Sequence, residues 1–424
     1  MLGKNQKGGK SSVLRNRNFM ILVLGQIISL FGSAIQRFAM SLYILDMTGS
    51  GTIFSSILAF SMIPIVLLAP VAGVISDRID RKKIMVSLDF ISAAVIGIYA
   101  VVLFSGKDHY LVVAVVMFLL SGISTLYQPA VNASIPAIVE EESLMAANGI
   151  VYQVSSLCNF LGPVLAGVLY GMVGVKGMII INGTSFFAAA IMELFLRIPF
   201  EKREREGTVL GVFYKDLKES GSYLRHENPI IFRMIFTSGL YNLFLVPVFS
   251  VGAPFIIKIT LGMSSEIYGL VEGVIAMGMI IGAMIVSFLP KAFSIRRIHR
   301  VLYISCFSMF MMGVSLTLQG GSTNSKWLVV GLFTLFAMSI MLILGIANVV
   351  SATFIQEDTP SHMLGKISAY GAAFATFCVP LGQLLFGSLL DVVGSKVHLL
   401  VMVAAVFTFG VTLIVRWNVK QIKE

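Results

Sequence analysis

Two ionisable side chains stand inside long apolar runs, where a charge is costly and faces other protein groups rather than hydrocarbon. Arg37 lies nine residues before Asp46, so ~14 Å below the end of its run at 1.5 Å per helical residue. Glu272 lies seven residues past Ser265, ~10 Å deep by the same rise. A guanidinium and a carboxyl at matched depth either compete over a proton or form a fixed ion pair. A carboxyl satisfied by neighbouring helices is the third reading.

A second group of residues suits recognition rather than proton chemistry. Gln26, Tyr127, Gln128, Tyr241, Asn242 and Asn348 interrupt apolar runs and could line a cavity for a bulky amphipathic molecule, or equally face other helices. Between two apolar runs, residues 73–83 pack six charges into the seven positions from Asp77 to Lys83. Asp89 lies near that loop and is expected to support Arg78 or Arg81, and Glu193 stands four residues before Arg197, the spacing of a helix-face pair. The histidines fall in loops or at helix ends, and the three cysteines (Cys158, Cys306, Cys378) lie in apolar runs as small packing residues. Neither a metal-ligand spacing nor a phosphate loop, nucleophile elbow or HExxH is present, so no metal or other cofactor is expected and ATP hydrolysis or proteolysis lacks support.

The elements that must position these groups follow from composition. Of 424 residues, 57% are hydrophobic and 12% charged. A soluble domain carries about 25% charged residues, so this chain cannot cover a water-facing surface. It reads as an all-α polytopic membrane protein. Twelve apolar runs qualify as transmembrane helices: 18–45, 51–76, 83–105, 109–137, 143–172, 176–198, 229–257, 265–290, 298–319, 326–355, 363–391 and 396–417. Each reaches the ~20 residues that cross the hydrocarbon core. The first follows Lys4, Lys7, Lys10, Arg15 and Arg17 but is too long for a signal-peptide core, so it is expected to be retained.

Basic residues fix the orientation. Of 31 Lys and Arg, 25 fall at the termini or in alternate loops on the same side; five fall on the other side, and Arg37 is intramembrane. Both termini are therefore expected in the cytoplasm. The net charge of +10 serves orientation rather than nucleic-acid binding. The longest hydrophilic gap, 199–228, is expected to be a cytoplasmic linker whose amphipathic stretch Val209–Leu224, with Leu210, Phe213, Leu217 and Tyr223 on one face, lies on the membrane surface. It separates six-helix bundles at 1–198 and 229–424. These repeat: Leu161-Gly162-Pro163-Val164-Leu165-Ala166-Gly167 aligns with Leu381-Gly382-Gln383-Leu384-Leu385-Phe386-Gly387 at an offset of 220. Two pseudo-symmetric six-helix bundles, with a ligand held near the midplane, form a transporter architecture.

The loop Gly73–Lys83 resembles the signature of the major facilitator superfamily, Gly-x-x-x-Asp-Arg-x-Gly-Arg-Arg/Lys, with Gly73, Asp77, Arg78, Arg81 and Lys82 matching and Asp80 in place of the second glycine. The run Gly162-Pro163-x-x-Ala166-Gly167 is similar to that superfamily's antiporter motif, with Cys158 where an earlier glycine is expected. Three further stretches resemble its drug-efflux branch, which includes macrolide efflux proteins. They are Ile35-Gln36-Arg37-Phe38-Ala39 followed by Thr48-Gly49-Ser50; Tyr127-Gln128-Pro129-Ala130-x-x-Ala133-x-x-Pro136; and Gln356-Glu357-x-x-Pro360-x-x-x-Leu364-Gly365-Lys366, which usually ends in Arg.

The resemblance implies a proton-coupled antiporter in a bacterial cytoplasmic membrane. It would export hydrophobic drugs by alternating access, as a monomer whose partners are a small amphipathic substrate, a proton and the bilayer. Asp77 would latch the loop against the eleventh helix; from their matched depth rather than the resemblance, Arg37 and Glu272 are the residues expected to carry the coupling. Rival expectations are a lysophospholipid or siderophore transporter, a nutrient symporter, and a membrane receptor that transports nothing.

Overall fold

A computed structural model describes Val13 and residues 15–199, 209–320 and 323–422, except the side chains of residues 70, 74, 77, 159, 209, 210, 212–217, 361, 362 and 395. The described chain is helical and contains no strand. In the order of the chain the helices are α1 (Arg17–Thr48), α2 (Gly51–Arg78), α3 (Arg81–Phe104), α4 (Tyr110–Ile138), α5 (Leu144–Glu193), α6 (Val209–His226), α7 (Pro229–Phe244), α8 (Ser265–Phe288), α9 (Ile298–Thr317), α10 (Thr323–Glu357), α11 (Ser361–Val393) and α12 (Val397–Val419).

Eleven described helical runs are long and apolar enough to cross a membrane. One of them, Glu141–Glu193, has 53 residues, more than twice the ~20 that span the hydrocarbon. It breaks at Gly174, whose φ of 63° and ψ of −176° belong to a region that residues with a Cβ avoid. The two arms of α5 supply the fifth and sixth of the twelve expected crossings.

The seventh span runs through Pro229–Thr260, beyond the end of α7, and is irregular. Pro247 and Pro254 lack the N–H that an α-helical ladder needs, and the chain continues past each in wide turns, Val248–Gly252 and Phe255–Thr260.

The chain clusters into two compact units, one of Met1–Met47 with Phe60–Gly211, the other of Thr48–Ala59 with Val212–Glu424. Helix α2 is therefore shared, its first residues belonging to the second unit. In the first unit α3 packs on α4 and α5, around a core that includes Phe19, Leu22, Met85, Ala130 and Ile135. In the second, α8 packs on α10, α9 on α10 and α12, and α7 on α11 and α12.

The 220-residue repeat has a structural counterpart. A Cβ on Gly162 would come within 2.6 Å of Ala34 Cβ, so α5 touches α1 there. A Cβ on Gly382 would come within 2.2 Å of the Leu243 carbonyl oxygen, so α11 touches the end of α7. Equivalent glycines make equivalent helix contacts in each unit, as small residues do where helices approach closely in membranes.

Helix α6 differs from the expectation of a helix on the membrane surface. Its C-terminal half packs on protein: Leu224 is fully buried in a cluster with Ile231, Ile235 and Ile367, flanked by Tyr223, Phe354 and Met363. Ser220 is also buried, and Glu219 meets Lys366 of α11 at 2.6 Å. An amphipathic face covers apolar surface whether lipid or protein provides it. The expected positions Leu210, Phe213 and Leu217 lie outside the described side chains.

Candidate functional site

The second unit holds a cavity of about 520 Å³ between α7, α8, α9, α10, α11 and α12. Four of the residues expected to serve recognition or proton chemistry line it: Tyr241, Asn242, Glu272 and Asn348. Much of the remaining wall is apolar, including Leu245, Phe249, Met279 and Leu344. That is the make-up of a site for a large apolar molecule oriented by a few polar groups.

Three of the four polar groups are held by hydrogen bonds. The Tyr268 hydroxyl, one helical turn before Glu272 on α8, donates to Glu272 Oε1 at 2.8 Å and fixes its rotamer. The Asn242 amide donates to the Ala375 carbonyl of α11 at 3.1 Å, and the Tyr241 hydroxyl bonds Thr412 on α12. The cavity thus presents one carboxyl among neutral polar and apolar atoms.

Arg37 belongs to the first unit and Glu272 to the second. Arg37 is exposed on α1 while its neighbours Ile35 and Gln36 are buried, Gln36 accepting from the Asn182 amide at 3.0 Å. Arg37 therefore stands outside the packed seam that Ile35 and Gln36 enter.

Three other expectations need correction. Gln26 and Tyr127 turn into helix packing: Gln26 is fully buried and donates to Ser155 Oγ at 3.5 Å, while Tyr127 donates to Glu193 at 2.5 Å. Asp89 does not support Arg78 or Arg81; it is buried and accepts from Ser29 Oγ of α1 at 2.8 Å. Glu193 likewise turns inward to Tyr127 and makes no pair with Arg197, whose backbone N–H donates to Asn18. Sequence spacing alone could not give the direction of these carboxyls around the helix axis. Gln128 is half-buried and reaches Asn132 on its own helix.

The basic loop has its own local logic. Asp80 stands where glycine was expected, with a negative φ of −53°, so no glycine is required. Its side chain accepts from Lys82 N at 3.0 Å and caps α3. Arg81 Nε donates to the Ser76 carbonyl at 3.4 Å, Arg78 and Gly73 are exposed, and Lys82 is half-buried in the first turn of α3. The side chain of Asp77 lies outside the described residues. In the antiporter-like run, Gly162 serves the α1 contact described above, Pro163 sits inside α5, and Gly167 is buried.

One contact was missed by the sequence. Asp391, near the end of α11, covers the first turn of α2. It accepts from Ser50 Oγ at 2.6 Å, Gly51 N at 2.8 Å and Thr52 N at 3.0 Å. A carboxylate over unsatisfied N–H groups stabilises a helix start. The turn feeding it passes through Gly49, with φ of 60°. The efflux-like Thr48-Gly49-Ser50 was therefore the available signal, but it named one side of the contact only.

The sequence profile of the Major Facilitator Superfamily matches residues 22–382. The chain belongs to that superfamily. It is accordingly a multi-pass membrane transporter, built on the superfamily's twelve-helix fold.

Among curated relatives of this superfamily member is macrolide efflux protein A of Streptococcus pyogenes, 27% identical over 386 residues, covering 89% of this chain and 90% of the relative. Macrolide efflux protein A of Enterococcus faecalis is 28% identical over 348 residues, covering 79% and 99%. Solved structures share the fold at lower identity. A bacterial homologue of the iron transporter ferroportin in an inward-facing state superposes with a TM-score of 0.71 at 18% identity, covering 95% of this chain and 98% of that one. The nucleoside transporter NupG gives 0.71 at 12% identity, covering 96% and 100%.

Proposed function

We propose that the protein is a proton-coupled antiporter that exports hydrophobic, cationic amphiphiles of the macrolide type from the cytoplasm of a bacterium. The supporting observation is the cavity of the second unit, where Glu272 is the single carboxyl among apolar walls and neutral polar groups. An ammonium-bearing apolar molecule and a proton would compete for one carboxylate, the simplest arrangement by which binding one releases the other. The curated macrolide efflux relatives support the substrate class.

In this reading Glu272 carries the coupling proton, held in place by Tyr268, while Tyr241, Asn242 and Asn348 orient the substrate. Arg37 supplies a positive charge in the other half of the protein. Both termini face the cytoplasm, supported by the distribution of basic residues, and the chain works as a monomer in the cytoplasmic membrane. Alternating access moves the six-helix halves so that the cavity opens to each side in turn.

A drug-susceptibility panel in an efflux-deficient strain tests the reading. The wild-type protein raises resistance to macrolides, and either Glu272→Gln or a protonophore removes the effect. Unchanged susceptibility to every compound would overturn it and point to a lipid, siderophore or nutrient substrate.

A further inference from the structure

A pair of carboxyls, separate from the one in the cavity, lies inside the first unit. Asp89 of α3 is 2% exposed and Glu193, at the end of α5, is 0% exposed. Among the described residues neither has a basic partner. Burying one unpaired carboxylate in an apolar layer is already severely unfavourable, and burying two close together adds their repulsion. The fold nevertheless supplies four helices to enclose them.

Each carboxyl is met by a hydroxyl donor. From α4, Tyr127 donates to Glu193 Oε1 at 2.5 Å; from α1, Ser29 donates to Asp89 Oδ2 at 2.8 Å and also faces the Tyr127 phenol. Helix α1 contributes no ionisable group here: the residues that touch the carboxyls are Gly25 and Ser29. A Cβ on Gly25 would lie 3.2 Å from Glu193 Oε1, so the carboxyl rests almost on the α1 backbone. The titratable groups facing one another are thus Asp89, Tyr127 and Glu193, one from each of α3, α4 and α5. One atom stands out. Glu193 Oε2 is buried and has no hydrogen-bond partner.

We propose that Asp89 and Glu193, bridged by Ser29 and Tyr127, form a proton-binding site in which the two carboxyls hold one proton. The open position at Glu193 Oε2 is where a proton adds, removing one buried negative charge and leaving the other on hydroxyl donors. A metal cation suits the site poorly, because Tyr127 and Ser29 already direct their hydrogens at the carboxylates and present protons where a cation needs lone pairs. Loss of the proton leaves two unpaired anions between α1, α3, α4 and α5, so occupancy governs how tightly α1 seats on the other three. This deepens the antiport reading by giving the first unit a proton site separate from the cavity carboxyl. It rests on that reading only for the use made of the proton.

Infrared difference spectroscopy of the full chain in lipid nanodiscs, stepped in pH without substrate, reads occupancy directly. The wild-type protein shows a titrating carboxylic-acid band that Asp89→Asn/Glu193→Gln removes and Glu272→Gln leaves in place. Tyr127→Phe deletes one oxygen and preserves the ring in the core. It moves the midpoint of the band by about one pH unit, a tenfold change in proton affinity. A band that persists in the double variant, a midpoint unmoved by Tyr127→Phe, or displacement by sodium at constant pH would overturn the proposal. Protonophore-sensitive export with no band from this pair sinks the site and leaves antiport standing; a confirmed band with protonophore-insensitive export does the reverse.

Discussion

Asp391 and Gly51 meet at 2.8 Å, the carboxylate of one helix end closing over the first N–H groups of another. The sequence resemblance anticipated a carboxylate latch at the opposite end of α2, from Asp77 to the start of α11. The described contact joins the same two helices at their other ends with the roles exchanged, the acid now on α11 and the helix start on α2. Gly387 permits it, since a Cβ there would come within 2.7 Å of the Gly51 carbonyl oxygen.

Removing that acid should loosen the start of α2. Asp391→Ala is expected to cost about 1 kcal/mol, the usual worth of an N-cap, with Asp391→Asn between the two. The check is thermal unfolding in detergent micelles, and equal melting temperatures for wild type and Asp391→Ala would contradict the cap.

The glycines of the repeat differ sharply from the glycine of the basic loop. Gly382→Ala places a methyl group 2.2 Å from the Leu243 carbonyl oxygen and is expected to cost about 1–3 kcal/mol through separation of α7 from α11. Gly73→Ala meets nothing within 4 Å, and the helical preference of alanine makes it neutral or stabilising by up to ~1 kcal/mol. Melting temperatures of the two variants, measured side by side, should fall on opposite sides of wild type or nearly so.

Docking of α6 depends on apolar burial more than on charge. Glu219 and Lys366 are 42% and 33% exposed, so Glu219→Gln is expected to cost less than ~1 kcal/mol. Leu224→Ala empties a fully buried position and should cost about 2–5 kcal/mol. Hydrogen exchange over residues 218–226 checks the order: strong acceleration with Leu224→Ala, slight with Glu219→Gln.

These contrasts mark what the sequence could convey. Hydropathy placed all twelve crossings because each apolar run is long enough by itself, and even the merged α5 was divided near the correct glycine. Glu272, Tyr241, Asn242 and Asn348 were legible as polar interruptions and do share one cavity. Gln26, Tyr127, Asp89 and Glu193 were equally visible, yet their roles depend on which side of a helix faces which neighbour. Helical periodicity is a weak guide when lipid and protein interior are both apolar. The Asp391 contact was illegible for a different reason: its partners are some 340 residues apart in sequence. Asp80 needed only its local setting, a carboxylate two residues before the amide it caps.

The central claim is exchange of a proton for an amphiphile at Glu272. Inverted membrane vesicles with an acid lumen and a labelled macrolide outside measure it most directly. The account predicts accumulation driven by the pH gradient in wild-type vesicles, collapse with a protonophore, and at least a tenfold loss in Glu272→Gln. Gradient-driven accumulation that survives Glu272→Gln unchanged would contradict it.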